Sequence, residues 1–314
     1  MIEINIMKKD NFLRNNQTSR RNENMKDYLV KALAFEDQIR AFAVTSTHLV
    51  EEARYRHGCW PTAAAALGRT LTVATMMGSQ LKGEETITIR INGNGPIGGI
   101  VVDADSKGVV RGYVNNPEVH FQYNSGKLNV GMAVGTDGQL SVTKDLGLKD
   151  YFTGQVPLQS GEIGDDFTYY FAVSEQVPSA VGVGVLVQPD NSVKAAGGFI
   201  VQVMPGATEE TLEKLETALA NIKPVSQMID EGYTPEKILE TIFGEGEVRI
   251  LDRQEVHFEC KCSKEKFAEG IASLGKNEIQ AMIDEDNGAE AVCHFCMERH
   301  QFTAEELEEI KNNL

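Results

Sequence analysis

Four cysteines, Cys260, Cys262, Cys293 and Cys296, constrain this chain more than any other feature. They form two tight pairs, CKC and CHFC, inside one 37-residue window. Four thiolates in two pairs about thirty residues apart can converge on one tetrahedral ion at Zn–S distances of ~2.3 Å. The same segment carries few aromatics, Phe258, Phe267, Phe295 and Phe302, so its core is thin. A metal must then do much of its folding, and structural zinc contributes roughly 10–16 kcal/mol in small domains. The plain alternative is an ordinary structural zinc module. A zinc site of some kind is favoured over four unrelated buried cysteines. The first pair departs from the usual two-residue spacing. Cysteines so close can form a small, strained disulfide ring on oxidation, so the site reads as removable rather than permanent. His257, His294 and His300 are nearby alternates, but four cysteines already complete a closed site, whereas a catalytic zinc needs an open position.

The rest of the composition narrows the function classes. The 314 residues include 46 acidic and 30 basic side chains, a net charge of −16. That balance weighs against nucleic acid, whose binding depends on Lys and Arg neutralising phosphates. The longest apolar stretches are short, such as Ala180 to Val187, against the ~18 residues of a membrane span, so no integral membrane protein is expected. Residues 1–24 are polar and lack the apolar region of a secretory signal. Five cysteines are too few for a disulfide scaffold in a chain this long, and in a cytosolic protein such clustering points to metal or thiol chemistry. The fifth, Cys59 in HGCWPT, stands alone and reads as a small buried hydrophobe rather than a nucleophile.

Charge and periodicity divide the chain. Residues 206–314 carry 25 acidic and 11 basic groups, a net −14, while 25–205 are nearly balanced. Residues 1–24 have no sustained period and read as a disordered extension. From Tyr28 the pattern is strand, turn, strand, then two helices, STHLVEEARYRH and TAAAALGRTLTVATMMGSQL. The second helix is apolar nearly all round and should be buried. Beyond Gly83, TITIRI, IGGIVVDAD, VVRGYV, FTYYFAVS, VGVGVLV and GGFIVQVM read as strands. The expected class is α+β: a mostly antiparallel sheet with packed helices over 25–205.

After Pro205-Gly206 the pattern becomes helical. Thr208 is a good N-cap, Leu212, Leu215, Leu219 and Ile222 share a face, and Thr234-Pro235-Glu236 opens a further short helix. These acidic helices are too thinly apolar to fold alone, so 206–250 is expected to be a linker lying on something else. Residues 251–314 are expected to be a small zinc-binding domain. It has a strand (VHFEC), a helix capped by Ser263, a turn at Asp286-Asn287-Gly288, a strand into CHFC, and a last helix opened by the Thr303–Glu306 capping box. Two other motifs read as turns. Gly93-Asn-Gly-Pro-Ile-Gly98 resembles a dinucleotide fingerprint but precedes a strand where a helix is required. Asp165-Asp166, unaccompanied by His or Ser, reads as a solvated turn.

Several stretches together resemble the redox-regulated heat-shock protein 33 holdases of bacteria. They are RHGCWPTAAAALGRTL, NGPIGGIVVDA, VGTDGQLSVTKDLG, FTGQVPLQSGEIGDDFTYYF, SEQVPSAVGVGVLV, AAGGFIVQVMPG and the ECKC and AVCHFC pairs. The likeness runs from about Tyr28 to Glu309. It implies a non-enzymatic, ATP-independent chaperone whose reduced form, with one zinc per chain on Cys260, Cys262, Cys293 and Cys296, is inactive. It further implies that oxidation pairs Cys260 with Cys262 and Cys293 with Cys296, releases zinc and unfolds the linker. The exposed surface would then hold unfolding client proteins in the cytoplasm, with the oxidised chain a homodimer. Two other readings stand beside this one: a structural zinc module on an enzyme of unknown chemistry, and a thiol oxidoreductase. The second would need its CxxC at a helix N-terminus, and here the motif lies between two strands.

Overall fold

The computed structural model describes residues 26–314, so the expected extension at 1–24 lies outside the described residues. The chain divides into two compact units, 26–259 and 260–314.

The first unit opens with a hairpin, β1 (Tyr28–Ala34) and β2 (Ile39–Thr45), followed by α1 (Thr47–His57) and α2 (Pro61–Gly78). Three strands come next, β3 (Thr86–Asn92), β4 (Ile100–Asp105) and β5 (Val109–Val114), then α3 (Val130–Val134), β6 (Gln139–Asp145) and β7 (Phe152–Pro157). The unit continues with α4 (Gly164–Val173), β8 (Ser179–Val187) and β9 (Val193–Val203). Three helices, α5 (Glu209–Ala220), α6 (Val225–Asp230) and α7 (Pro235–Phe243), lead to β10 (Val248–Glu255) and the two-residue β11 (His257–Phe258). One sheet has the order β10-β1-β2-β9-β8 and the other β11-β5-β4-β3-β6-β7; only the β11–β5 pairing is parallel.

The antiparallel architecture expected from the alternating segments is thus present, divided between two sheets. Helix α2 packs against strands of both, and all of its 18 residues except Pro61 are buried, as its all-round apolar pattern requires. Three of its hydroxyls are satisfied within the helix, Thr70 on Ala66 O, Thr72 on Gly68 O and Thr75 on Leu71 O, while Thr62 donates to Phe121 O. A Cβ on Gly68 would come within 2.4 Å of Val50, so only glycine allows α1 this close.

The segment FTYYFAVS is a helix, not the expected strand. Its aromatic content favours β structure, but Phe167, Tyr170 and Phe171 are spaced to share one helical face and all are buried. Asp166 is fully buried rather than part of a solvated turn. Its carboxylate accepts the N–H groups of Gln159, Ser160, Gly161 and Ile163, fixing the entry to α4.

The first sheet is covered on both faces over β1, β2 and β9, which explains why those strands are apolar at nearly every position. Leu29, Phe42, Val44 and Ile200 face the core around α2. Val30, Ala32, Ile39, Ala41, Phe199 and Val201 belong to a second cluster, closed by Leu215, Val225, Met228, Ile238, Leu239 and Phe243 of α5, α6 and α7. Helices α5, α6 and α7 therefore form a layer on that sheet, with caps at Thr208 and Thr234.

Arg69 of α2 is buried against Glu162, Nη1 to Oε2 at 2.6 Å, and Glu162 Oε1 also accepts from the Tyr123 hydroxyl and the Gly131 N–H. Burial pushes the Glu162 carboxyl up, but its bonds to Arg69, Gly131 and Tyr123 outweigh this and leave it below its ordinary 4.5. Glu162→Gln should therefore cost about 3 kcal/mol near neutral pH by leaving Arg69 without its counter-charge. A lowered carboxylate pKa contributes stability above the unfolded value and loses it as pH falls through the folded one. The gap between wild type and variant should shrink below about pH 4.5, and urea unfolding at neutral and acid pH checks this.

The second unit consists of α8 (Lys264–Ala272), α9 (Lys276–Asp286), the hairpin β12 (Gly288–Val292) and β13 (Arg299–Thr303), and α10 (Ala304–Asn312). Ser263 caps α8, Thr303 and Glu306 form the capping box of α10, and Asn287 ends α9 in the left-handed conformation. The sequence predicts one helix before this turn, where the structure has two. Gly275, at φ 88°, makes the break between α8 and α9, a conformation glycine adopts without penalty.

Candidate metal centre

Cys260 and Cys262 lie in the segment that runs into the Ser263 cap of α8. Cys293 and Cys296 lie in the tight connection between β12 and β13. That turn is closed by Cys293 N–H on Glu298 O at 2.9 Å and by Met297 N–H on Cys293 O at 2.7 Å, with Met297 in the left-handed region. One helix start and one hairpin turn thus present two sulfurs each. The CHFC pair joins two strands and opens no helix, unlike the arrangement thiol oxidoreductase chemistry uses.

The four Sγ atoms all lie within 4.8 Å of one another. Cys260 and Cys293 are 3.7 Å apart, and Cys262 and Cys296 3.4 Å. Four sulfurs bound tetrahedrally at ~2.3 Å stand about 3.8 Å apart, so the observed separations suit a single tetrahedral ion. None of the four is in a disulfide, and both of these separations are well beyond bonding distance. Burial, with repulsion from Cys293 and Cys260, pushes the Cys262 thiol up to about 12. Hydrogen bonding with Cys260 and Cys293, then burial, raises the Cys296 thiol as well. Such thiols stay protonated at neutral pH by themselves; a bound cation is what makes thiolate donors of them. The donor set therefore fits a thiophilic ion of the zinc class.

The three nearby histidines differ. His257 belongs to the first unit and pairs with Glu259 at 3.1 Å. His300 has a ligand atom within 4.8 Å of those of Cys262 and Glu298, and its ring lies 4.9 Å from that of Phe267. His294 is half-buried beside Cys293 in the chain and belongs to neither ligand group. Glu298 had no signal in the sequence beyond its place two residues after Cys296; the β12–β13 turn brings it to Cys262.

Cys59 is far from this chemistry in kind as well as in sequence. It is buried in the core around α2, and burial pushes its thiol up to about 12. Under native conditions it should resist alkylation, read by mass spectrometry, and Cys59→Ser should leave metal content nearly unchanged. A fall in bound metal in that variant would contradict this.

Comparison with known proteins converges on one family. The family model described as Hsp33 protein matches residues 27–303. A 33 kDa chaperonin of Staphylococcus carnosus is 60% identical over 282 residues, covering 90% of this chain and 96% of that protein. A 33 kDa chaperonin of Bacillus subtilis is 58% identical over 287 residues, 91% of this chain and 98% of that one. The crystal structure of the 33 kDa chaperonin of Thermotoga maritima, a heat shock protein 33 homologue, superposes with a TM-score of 0.87 at 40% identity. That match covers 92% of this chain and 99% of the Thermotoga chain.

Proposed function

The chain belongs to the Hsp33 family, chaperones rather than enzymes, and on that premise we propose that it is a redox-switched, ATP-independent holdase. In this reading 25–205 is the chaperone core, 206–250 the linker and 251–314 the switch. The observation that carries it is the convergence of Cys260, Cys262, Cys293 and Cys296 in a geometry suited to one tetrahedral ion.

In the reduced state one zinc per chain is held by the four cysteines and the protein is inactive. Bound zinc keeps these sulfurs as thiolates, the oxidisable form, and ties the two halves of the small unit together. Oxidation then pairs Cys260 with Cys262 and Cys293 with Cys296. Each pair of thiolates gives up two electrons as its S–S bond forms; with hydrogen peroxide as the oxidant, these and two protons from solvent convert each peroxide to two waters. With every sulfur in a disulfide, no thiolate donor remains for a metal.

Chain connectivity supports a route from switch to surface. Cys260 follows β11 by two residues, and β11 follows β10, which among the described residues is an edge strand paired with β1. Once 260–314 loses its fold, β11, β10 and then α7, α6 and α5 are free to fray from that end. The sheet face they leave holds Val30, Ala32, Ile39, Ala41, Phe199 and Val201, an apolar surface matched to unfolding client proteins. The oxidised chain acts as a homodimer in the cytoplasm, with neither nucleic acid nor membrane as partner. Among the described residues no helix is long and apolar enough to cross a membrane.

Light scattering of a heat-unfolding client tests the reading. Peroxide-treated protein should suppress aggregation without ATP, and dithiothreitol-reduced, zinc-loaded protein should not. Equal suppression by both forms would leave a chaperone without a redox switch.

A further inference from the structure

Cys262 belongs to two ligand sets at once. Besides the three other cysteines, its sulfur lies with a Glu298 carboxylate oxygen and a His300 ring nitrogen, all within 4.8 Å of one another. Glu298 Oε2 is 3.7 Å from Cys262 Sγ. His300 Nε2 is buried with no hydrogen-bond partner. A buried polar atom without a partner is costly, and in a native fold it asks for an explanation. Packing holds the ring in place: β13 sets His300 opposite Ala291, and Phe267 lies against it at 4.9 Å. Sulfur, imidazole nitrogen and carboxylate oxygen are each donors that zinc accepts, and three protein ligands leave a fourth position open.

We propose that Cys262, Glu298 and His300 form an alternate site for a zinc-class divalent cation, which retains the ion when the four-cysteine set is short of a sulfur. The inference rests on the four-cysteine reading only in taking Cys262 as a metal ligand. Losing one of the other three cysteines then leaves a mixed sulfur, nitrogen and oxygen set rather than an empty module.

The test uses the full-length chain, reduced and anaerobic, carrying Cys293→Ser. Cobalt(II) is the spectroscopic probe, zinc competition gives affinity, and X-ray absorption reads the ligands of the zinc-loaded protein. Cys293→Ser should bind one metal per chain with nitrogen in the shell. Adding His300→Phe, which keeps a ring against Phe267, should weaken binding at least ~10-fold and remove the nitrogen. Adding Glu298→Gln to Cys293→Ser should weaken binding in the same direction. Should Cys293→Ser fail to fold, Cys260→Ser at its half-buried position gives the same comparison. Equal affinity with and without His300, a shell without nitrogen, or no metal in the single variant overturns the alternate site. Absence of sulfur-bound zinc from the unsubstituted chain would instead count against the four-cysteine reading.

Discussion

Stripping the metal from the reduced protein with a chelator is expected to unfold residues 260–314 while 26–259 stays folded. Among the described residues the small unit buries only Phe267, Ile271, Ile279, Met282, Ala291, Cys293, Cys296, Phe302 and Leu307 of its apolar side chains, and two of these are proposed ligands. It also carries 12 acidic against 6 basic groups, so its own charge works against compaction. Structural zinc supplies roughly 10–16 kcal/mol, as much as the ~5–15 kcal/mol that stabilises a whole domain. The first unit has two sheets around a buried helix and no share in the cysteine cluster. Hydrogen exchange with mass spectrometry should show loss of protection confined to the C-terminal unit, reversed when zinc is restored. Protection retained there without metal would mean that its thin core suffices.

Peroxide treatment is expected to extend that loss of protection to α5, α6 and α7 while α2 and the strands packed on it keep theirs. The three helices hold to the sheet through few buried side chains, Leu215, Val225, Met228, Ile238, Leu239, Ile242 and Phe243. Residues 206–314 also carry a net −14, and their repulsion, screened by salt, favours release once the metal is gone. Leu239 is fully buried, so Leu239→Ala should cost about 2–5 kcal/mol. The variant should therefore release the layer at a lower oxidant dose. Protection that persists from Leu212 to Ile222 after full oxidation would sink linker release while leaving the metal site intact.

What could be read from the sequence follows from which interactions are local. Caps act within one turn, so Thr208, Thr234, Ser263 and the Thr303–Glu306 box were legible, and each caps its helix in the structure. The burial of α2 was legible because no face of it is polar. Cysteine spacing pointed to a common ion, and the four sulfurs do converge. Non-local pairing was not legible. Nothing in the period-2 pattern assigns β1 and β9 to one sheet and β3 and β6 to another, or puts β10 beside β1. Helix α4 was misread because its aromatics are good strand formers, while the residue that starts it, Asp166, works through four backbone N–H groups. Glu298 escaped notice because only the folded β12–β13 turn brings it to Cys262.

The most direct measurement follows zinc and client in the same sample. Reduced protein is mixed with peroxide, a chromophoric chelator and a thermally unfolding client, and zinc release is recorded alongside light scattering. A switch built on these four cysteines gives one zinc per chain, released no later than aggregation suppression appears, with both abolished by prior alkylation of the cysteines. Full suppression while zinc is still bound would contradict it.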